Sequence, residues 1–414
     1  MARRRQLRVS VADVREQIGI RRHPMEKFLP YTRQMIEDAD VSAVVDVLRG
    51  DYLTTGPAVR AFEDALATRI GARSVVACSS GTAALHLTAL ALGLTDHDSV
   101  IAPALTFAAT ANGPRYTGAK IVFADVDPET GLMRPSDFEA AIERAGPSLR
   151  AVYPVHLGGQ ACDMPTISAI ARERGVAVIE DAAHALGTVN PGPDGQPVGA
   201  CEFSDMTVFS FHPAKTITMG EGGAVTTQDP ELAKRLRLFC THGITRDAGD
   251  FVDGPEQGPW YCEQQDLGYN YRVSDIHCAL GLAQLGRLDS LVEKRLNLRA
   301  TYNVALAKFE PVLRPVRQVA DARIGWHLYQ VLIDFENAGI KRETLMTALR
   351  DRGIGTQVHY IPVHHHPYYR SAQQTPELKG ADAFYRQCLS LPFFAGMDES
   401  DIARVADAFA DILQ

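Results

Sequence analysis

The order of apolar runs along this 414-residue chain predicts an α/β fold, with a mostly parallel sheet in a large N-terminal unit and a smaller α+β unit after it. Three observations lead there. Short apolar runs alternate with amphipathic ones from about residue 73 to residue 228, and repeated strand–helix units build parallel sheets covered on both faces. A long charged stretch at helical period, 286–309, then carries the chain out of that region. Beyond it, strand-like and helix-like segments are mixed.

The elements follow in order. SVVACS (74–79) reads as a buried strand and TAALHLTALALG (82–93) as the helix after it. Further strands are expected at 99–107, 120–126, 149–155, 176–180, 206–211 and 222–227. SDFEAAIERAG and MPTISAIARERG fill two of the intervals with helical periodicity. In the C-terminal part, HLYQVLIDF (327–335), KRETLMTALRDRG (341–353) and TQVHYIPV (356–363) make up the α+β unit. DAFYRQCLS and SDIARVADAFADIL are its closing helices. The resulting division is an N-terminal extension (1–26), a large domain (27–290) and a small C-terminal domain (291–414).

Composition narrows the class. With 46% hydrophobic and 22% charged residues the chain is an ordinary globular protein, and its net charge of −8 gives no footprint for nucleic acid. No apolar run approaches the ~20 residues that span a bilayer. Arg3, Arg4, Arg5 and Arg8 cluster at the N-terminus without the apolar region of a signal peptide, and read as a solvated leader. The seven scattered cysteines include no C-x-x-C pair, which fits a reducing, cytoplasmic setting without disulfides or structural zinc.

Ligands of open α/β sheets gather at the carboxyl ends of the strands, so those ends hold the candidate residues. After the first strand, Ser80-Gly81-Thr82 opens a helix. Free N–H groups, a hydroxyl and a glycine there suit a phosphate, although a plain Ser/Thr helix cap has the same residues. Asp181 follows the strand VAVIE (176–180), behind its four apolar residues. Buried there, it needs a cation such as a protonated pyridine nitrogen; otherwise it is a helix cap. Lys215, in His212-Pro213-Ala214-Lys215, follows the strand at 206–211. Desolvation there would lower its pKa as Schiff-base chemistry requires, and a surface lysine is the alternative. Phe107 ends the strand at 99–107, where it can stack on a flat ring or simply fill the core. A phosphate cradle, a carboxylate, a lysine and an aromatic at the ends of one sheet together match pyridoxal 5'-phosphate (PLP). His364-His365-His366 is set aside as a metal site, because adjacent side chains are expected to diverge.

FSFHPAKTITMGEGGAV (209–225), IEDAAHALGT (179–188) and CSSGTAAL (78–85) resemble the DegT/DnrJ/EryC1/StrS family of sugar aminotransferases. The likeness runs from about residue 29 to the C-terminus. It implies the PLP-dependent fold type I (aspartate aminotransferase-like) and a homodimer. Carried over by resemblance, Lys215 would be the Schiff-base lysine and Asp181 the partner of the pyridine nitrogen. His184 would lie near the ring hydroxyl, and Phe107 would stack on the ring. Gly81, Thr82 and Ser210 would hold the phosphate, with Asn270 of GYNYR reaching the phosphate of the partner subunit. The stretches 238–247, 258–285, 353–370 and 390–397 further resemble the aminotransferases of pseudaminic acid biosynthesis. That implies a UDP-linked 4-keto-6-deoxy sugar as acceptor and L-glutamate as donor, with 2-oxoglutarate released. An enzyme making UDP-4-amino-4-deoxy-L-arabinose shares part of the same pattern. Two rivals are disfavoured: PLP-dependent sugar dehydratases of the family carry histidine at the position of Lys215, and a PLP-binding regulator would need a DNA-binding module that 26 residues cannot supply.

Overall fold

The computed structural model describes residues 28–191, 195–253, 258–320, 322–372 and 375–413. The N-terminal extension with its arginine cluster lies outside the described residues. Two helices open the fold, α1 (Asp38–Arg49) and α2 (Pro57–Ile70). An alternating series follows: β1 (Ser74–Cys78), α3 (Gly81–Leu92), β2 (Ser99–Pro103), α4 (Ala108–Arg115), β3 (Lys120–Ala124), α5 (Pro135–Ala145), β4 (Leu149–Val152), α6 (Met164–Glu173) and β5 (Ala177–Asp181). Next come β6 (Met206–Ser210), β7 (Gly223–Thr227) and α7 (Pro230–Cys240).

These strands form one seven-stranded sheet in the order β1-β7-β6-β5-β4-β2-β3. Only β7 runs against its neighbours, so the other six strands share one carboxyl edge. Register then decides what meets at that edge. Gly223, the first residue of β7, is paired with Cys78 on one side and with Ser210 on the other. The ends of β1 and β6, far apart in sequence, are thereby brought beside each other. The strands are apolar along nearly their whole length because both faces are covered; Val100, Ile101, Val152, Ile179 and Val208 are all buried.

A small hairpin, β8 (Ile244–Thr245) with β9 (Glu263–Gln264), precedes α8 (Asp275–Leu285) and the long α9 (Leu288–Leu306). The Asp275 carboxylate accepts from Gly56 N and Ala58 N, each at 2.8 Å, and so caps α2 from 219 residues away. Phe62 of α2 is fully buried with its ring edge-on to Phe211 at 5.3 Å, which packs the N-terminal helices against the end of β6.

The C-terminal part has its own antiparallel sheet, β10 (Leu313–Pro315), β11 (Tyr329–Ile333) and β12 (Cys388–Leu391), in that order. It has its own buried cluster, which includes Tyr302, Tyr329, Leu345, Phe393 and Phe409. The helices α10 (Arg342–Asp351), α11 (Pro367–Ala372), α12 (Lys379–Gln387) and α13 (Glu399–Ile412) complete it. Three local expectations are corrected. The segment 388–390 belongs to strand β12 rather than to a helix, because its backbone pairs with Tyr329–Leu332. TQVHYIPV forms no strand beyond a single bridge from Gln357 to Ser390, and ends in a short 3-10 turn, Val363–His365. Phe107 does not end a strand: β2 stops at Pro103, and Phe107 is the N-cap of α4. Six of the seven cysteines are buried, and all seven are free.

Candidate active site

At the shared carboxyl edge the loop from β1 enters α3 through Ser80, whose hydroxyl accepts from Ala83 N at 3.1 Å. A cap of this kind is worth about 1 kcal/mol. It leaves the N–H groups of Gly81 and Thr82, in the first turn, without intrahelical acceptors. Two glycines keep side chains out of this corner. A Cβ on Gly81 would stand 2.9 Å from Ser210 Cβ and 3.1 Å from its hydroxyl. A Cβ on Gly223 would overlap the carbonyl oxygen of Ser80. Gly81, Thr82 and Ser210 therefore form one concave set of donors at a helix N-terminus, the arrangement that binds a phosphate.

Asp181 is the last residue of β5 and is 4% exposed. One carboxylate oxygen accepts from Thr110 Oγ1 at 2.7 Å and the other from Ala183 N at 3.1 Å. Among the described residues no arginine or lysine forms an ion pair with it. A buried carboxylate with two neutral donors, and with Lys215 acting on it only through space, still lacks a contacting positive partner, and that is the strongest sign of a cationic ligand here. Behind it, the strand end is braced by His156. Its backbone N–H donates to Asp181 O at 3.1 Å, and its Nε2 lies 2.8 Å from Glu180.

Lys215 sits in a turn closed by its own N–H to His212 O at 2.8 Å. Burial pulls its ammonium down to about 8, and the Asp181 carboxylate opposes that shift. A substantial share of the amine is therefore neutral in mildly alkaline solution, which is the state a nucleophile or proton acceptor needs. His184 is buried, and burial with the nearby positive charge of Lys215 holds it far below the usual histidine range. Its Nδ1 accepts from Gly158 N at 3.3 Å, so in the neutral ring the proton is on Nε2, 3.2 Å from the Tyr360 hydroxyl. The His184 ring packs against His327 at 4.4 Å. Phe107 is 59% exposed and leans on Tyr360 at 5.9 Å, so it presents a ring face instead of filling core.

The sequence-derived candidates Gly81, Thr82, Asp181, Ser210 and Lys215 thus gather at one sheet edge, with Phe107 and His184 linked to them through Tyr360. Asn270 stands apart. It is exposed, in a segment bonded to α7 by Tyr269 N to Phe239 O at 2.8 Å. Four neighbours had no signal in the sequence: Thr110, His327, His359 and Tyr360. Thr110 is one hydroxyl in an unremarked helix, and the other three come from the C-terminal part, whose packing against the sheet no periodicity foretells.

Residues 34–410 match the DegT/DnrJ/EryC1/StrS aminotransferase family. The chain belongs to that family. It is 39% identical over 390 residues to the spore coat polysaccharide biosynthesis protein SpsC of Bacillus subtilis, covering 94% of this chain and 97% of that protein. Among solved structures it resembles PseC of Helicobacter pylori, an aminotransferase involved in the biosynthesis of pseudoaminic acid. The TM-score is 0.84 at 28% identity, with 94% and 99% of the two chains covered. It also resembles the sugar aminotransferase Spr1654 of Streptococcus pneumoniae in its PLP form, with a TM-score of 0.82, 26% identity and coverage of 93% and 98%. The family and the fold type I architecture expected from the motifs are both borne out, and the chain is a PLP-dependent sugar aminotransferase by family. The residues present fit that coenzyme: a donor-lined corner at a helix N-terminus for a phosphate, and an unpaired buried carboxylate for a pyridinium. No helix among the described residues is long and apolar enough to cross a membrane.

Proposed function

We propose that this chain moves the amino group of L-glutamate onto C4 of a UDP-linked 4-keto-6-deoxy sugar, releasing 2-oxoglutarate. The preferred acceptor is UDP-2-acetamido-2,6-dideoxy-β-L-arabino-hexos-4-ulose, and the product UDP-4-amino-4,6-dideoxy-N-acetyl-β-L-altrosamine. The carrying observation is the juxtaposition of half-buried Lys215, unpaired Asp181 and the Gly81–Thr82–Ser210 corner at one sheet edge. The sugar rests on likeness to the pseudaminic acid aminotransferases. A second reading, an acceptor of the UDP-4-amino-4-deoxy-L-arabinose type or another nucleotide sugar, is favoured by the 39% identity to SpsC, a protein of spore coat polysaccharide biosynthesis.

When bound, the coenzyme supplies an electron sink for charge that develops at the donor and acceptor carbons. The chain's own residues do the rest. Gly81, Thr82 and Ser210 hold the phosphate, and the Asp181 carboxylate holds a proton on the pyridine nitrogen. His184, oriented by Gly158, lies near the ring hydroxyl, and Phe107 covers a ring face. Lys215 Nζ takes the proton from the α-carbon of glutamate and returns one to C4 of the sugar. The reading includes a large domain over 27–290, a small one over 291–414, and a cytoplasmic homodimer.

Incubating the protein with glutamate and a panel of UDP- and dTDP-linked 4-keto sugars tests the acceptor. Mass spectrometry is expected to show an amine gained first by the 2-acetamido-2,6-dideoxy UDP sugar. Preference for a pentose-derived or dTDP sugar would move the assignment to the second reading.

The dimer gives a sharper test. We place Asn270 at the phosphate of the partner's site, in keeping with its exposure on the single chain. The rival is an own-chain role, since Tyr271 O accepts from the chain's own Ser79 N at 2.7 Å. Asn270→Asp is expected to weaken coenzyme binding by setting a like charge against phosphate. Mixed with Lys215→Ala under subunit exchange, each heterodimer would have one site with both defects and one with neither. Random pairing of equal amounts then restores roughly a quarter of wild-type sites. If heterodimers form and no activity returns, Asn270 serves its own chain.

A further inference from the structure

The sequence expectation that neighbouring histidines diverge does not hold at the turn Val363–His365. The rings of His364 and His365 meet edge-on, with centroids 4.3 Å apart at 71°. Asp382, in the first turn of α12, joins them. One ligand atom each from His364, His365 and Asp382 lies within 4.8 Å of the others. We propose that His364, His365 and Asp382 form a binding site for a divalent cation of the zinc type.

The polar atoms are arranged for a shared ion better than for one another. His365 Nε2 stands 3.0 Å from Asp382 Oδ1, yet that oxygen, although buried, accepts no hydrogen bond. The ring N–H is at the right distance but not aimed at the oxygen. His364 Nδ1 is also buried with no partner. Two buried polar atoms that make no hydrogen bond, in one cluster, carry a desolvation cost that a coordinated cation would remove.

Both platforms are held in place. Val363 N donates to Ala104 O at 2.8 Å, and His365 N closes the turn on Pro362 O at 2.9 Å. The Asp125 carboxylate accepts from Gly380 N at 2.9 Å and Ala381 N at 2.8 Å, which fixes the start of α12 beside Asp382. Four-coordinate zinc at ~2.1 Å per bond needs its ligand atoms roughly 3.4 Å apart, between the 3.0 Å of the His365–Asp382 pair and the 4.8 Å limit of the whole group. Two imidazoles and one carboxylate suit zinc, cobalt or nickel rather than magnesium or calcium, and the partly exposed side of His365 leaves a fourth position for water. A bound ion would tie the turn that follows Tyr360 to α12.

The test uses tag-free holoenzyme, treated with chelator and dialysed. Titration with Zn2+ by calorimetry is expected to give one ion per chain and a higher melting temperature with added Zn2+. Co2+ should bind with the visible absorption of a four-coordinate nitrogen–oxygen site. Asp382→Asn, which is nearly isosteric, and His364→Ala should each weaken Zn2+ binding by at least about a hundredfold, more than follows from removing a group that only orients a ligand. His366→Ala and Cys262→Ser, which alters the one cysteine that is not buried, should leave it unchanged. The proposal is overturned if no stoichiometric Zn2+ binds, if binding survives Asp382→Asn, or if it disappears with Cys262→Ser.

Discussion

Lys215→Ala is expected to lower turnover by at least about a thousandfold, the upper part of the range for a positioned proton-transfer group. It should also remove the yellow colour that the coenzyme gives the purified protein. The fold should not suffer. Lys215 is half-buried and its ammonium is held down to about 8 by burial, so the charged form is already disfavoured in the folded chain. Truncation removes a desolvated cation, and its melting temperature should stay within a few degrees of wild type. Turnover near the wild-type rate in this variant would sink the assignment of Lys215. A variant that loses turnover only because it unfolds would show the opposite melting behaviour, so the two outcomes separate cleanly.

Asp181→Asn should reduce turnover by at least about a hundredfold, the scale on which removing one electrostatic interaction from a dry site slows an enzyme. The substitution keeps the shape of the side chain and retains an oxygen for Thr110 or Ala183 to bond, so most of the local packing survives. What disappears is the negative charge. Without it a pyridine nitrogen in the site loses the partner that keeps it protonated, and the ring withdraws electrons poorly. Stability should change little or rise, because an unpaired buried carboxylate is costly in the protein without coenzyme. Activity within a few-fold of wild type, beside an unchanged melting temperature, would reduce Asp181 to a strand-end cap.

Much of the sheet is legible because a strand buried on both faces leaves a plain mark, a short apolar run between turn residues. All seven strands of the large sheet lie within the runs read from the sequence or one residue beyond them, Asp181 itself closing β5. The departures share a cause. ALTF continues an apolar run and so suggests a strand through Phe107, but the chain turns at Pro103 and re-enters a helix. CLS in 388–390 continues an amphipathic helix by period, yet pairing with β11 overrides that local preference. Of the site, the residues at strand ends are legible because strand ends can be located. Tyr360 and His327 are not, since they reach the same place from another part of the chain by packing alone.

By itself the sequence determined the family, the strand–helix series and the residue types that chemistry at the sheet edge requires. These are local properties, carried by periodicity and by motifs a few residues long. Tertiary structure decided the rest by joining distant segments. The pairing of Gly223 with both Cys78 and Ser210 unites two loops into one phosphate-shaped corner. The same level of structure leaves Asp181 buried without a contacting cation, desolvates Lys215, and brings His364 and His365 together with Asp382. Charge, burial and mutual distance depend on segments far apart in the chain, and no pattern within one segment encodes them.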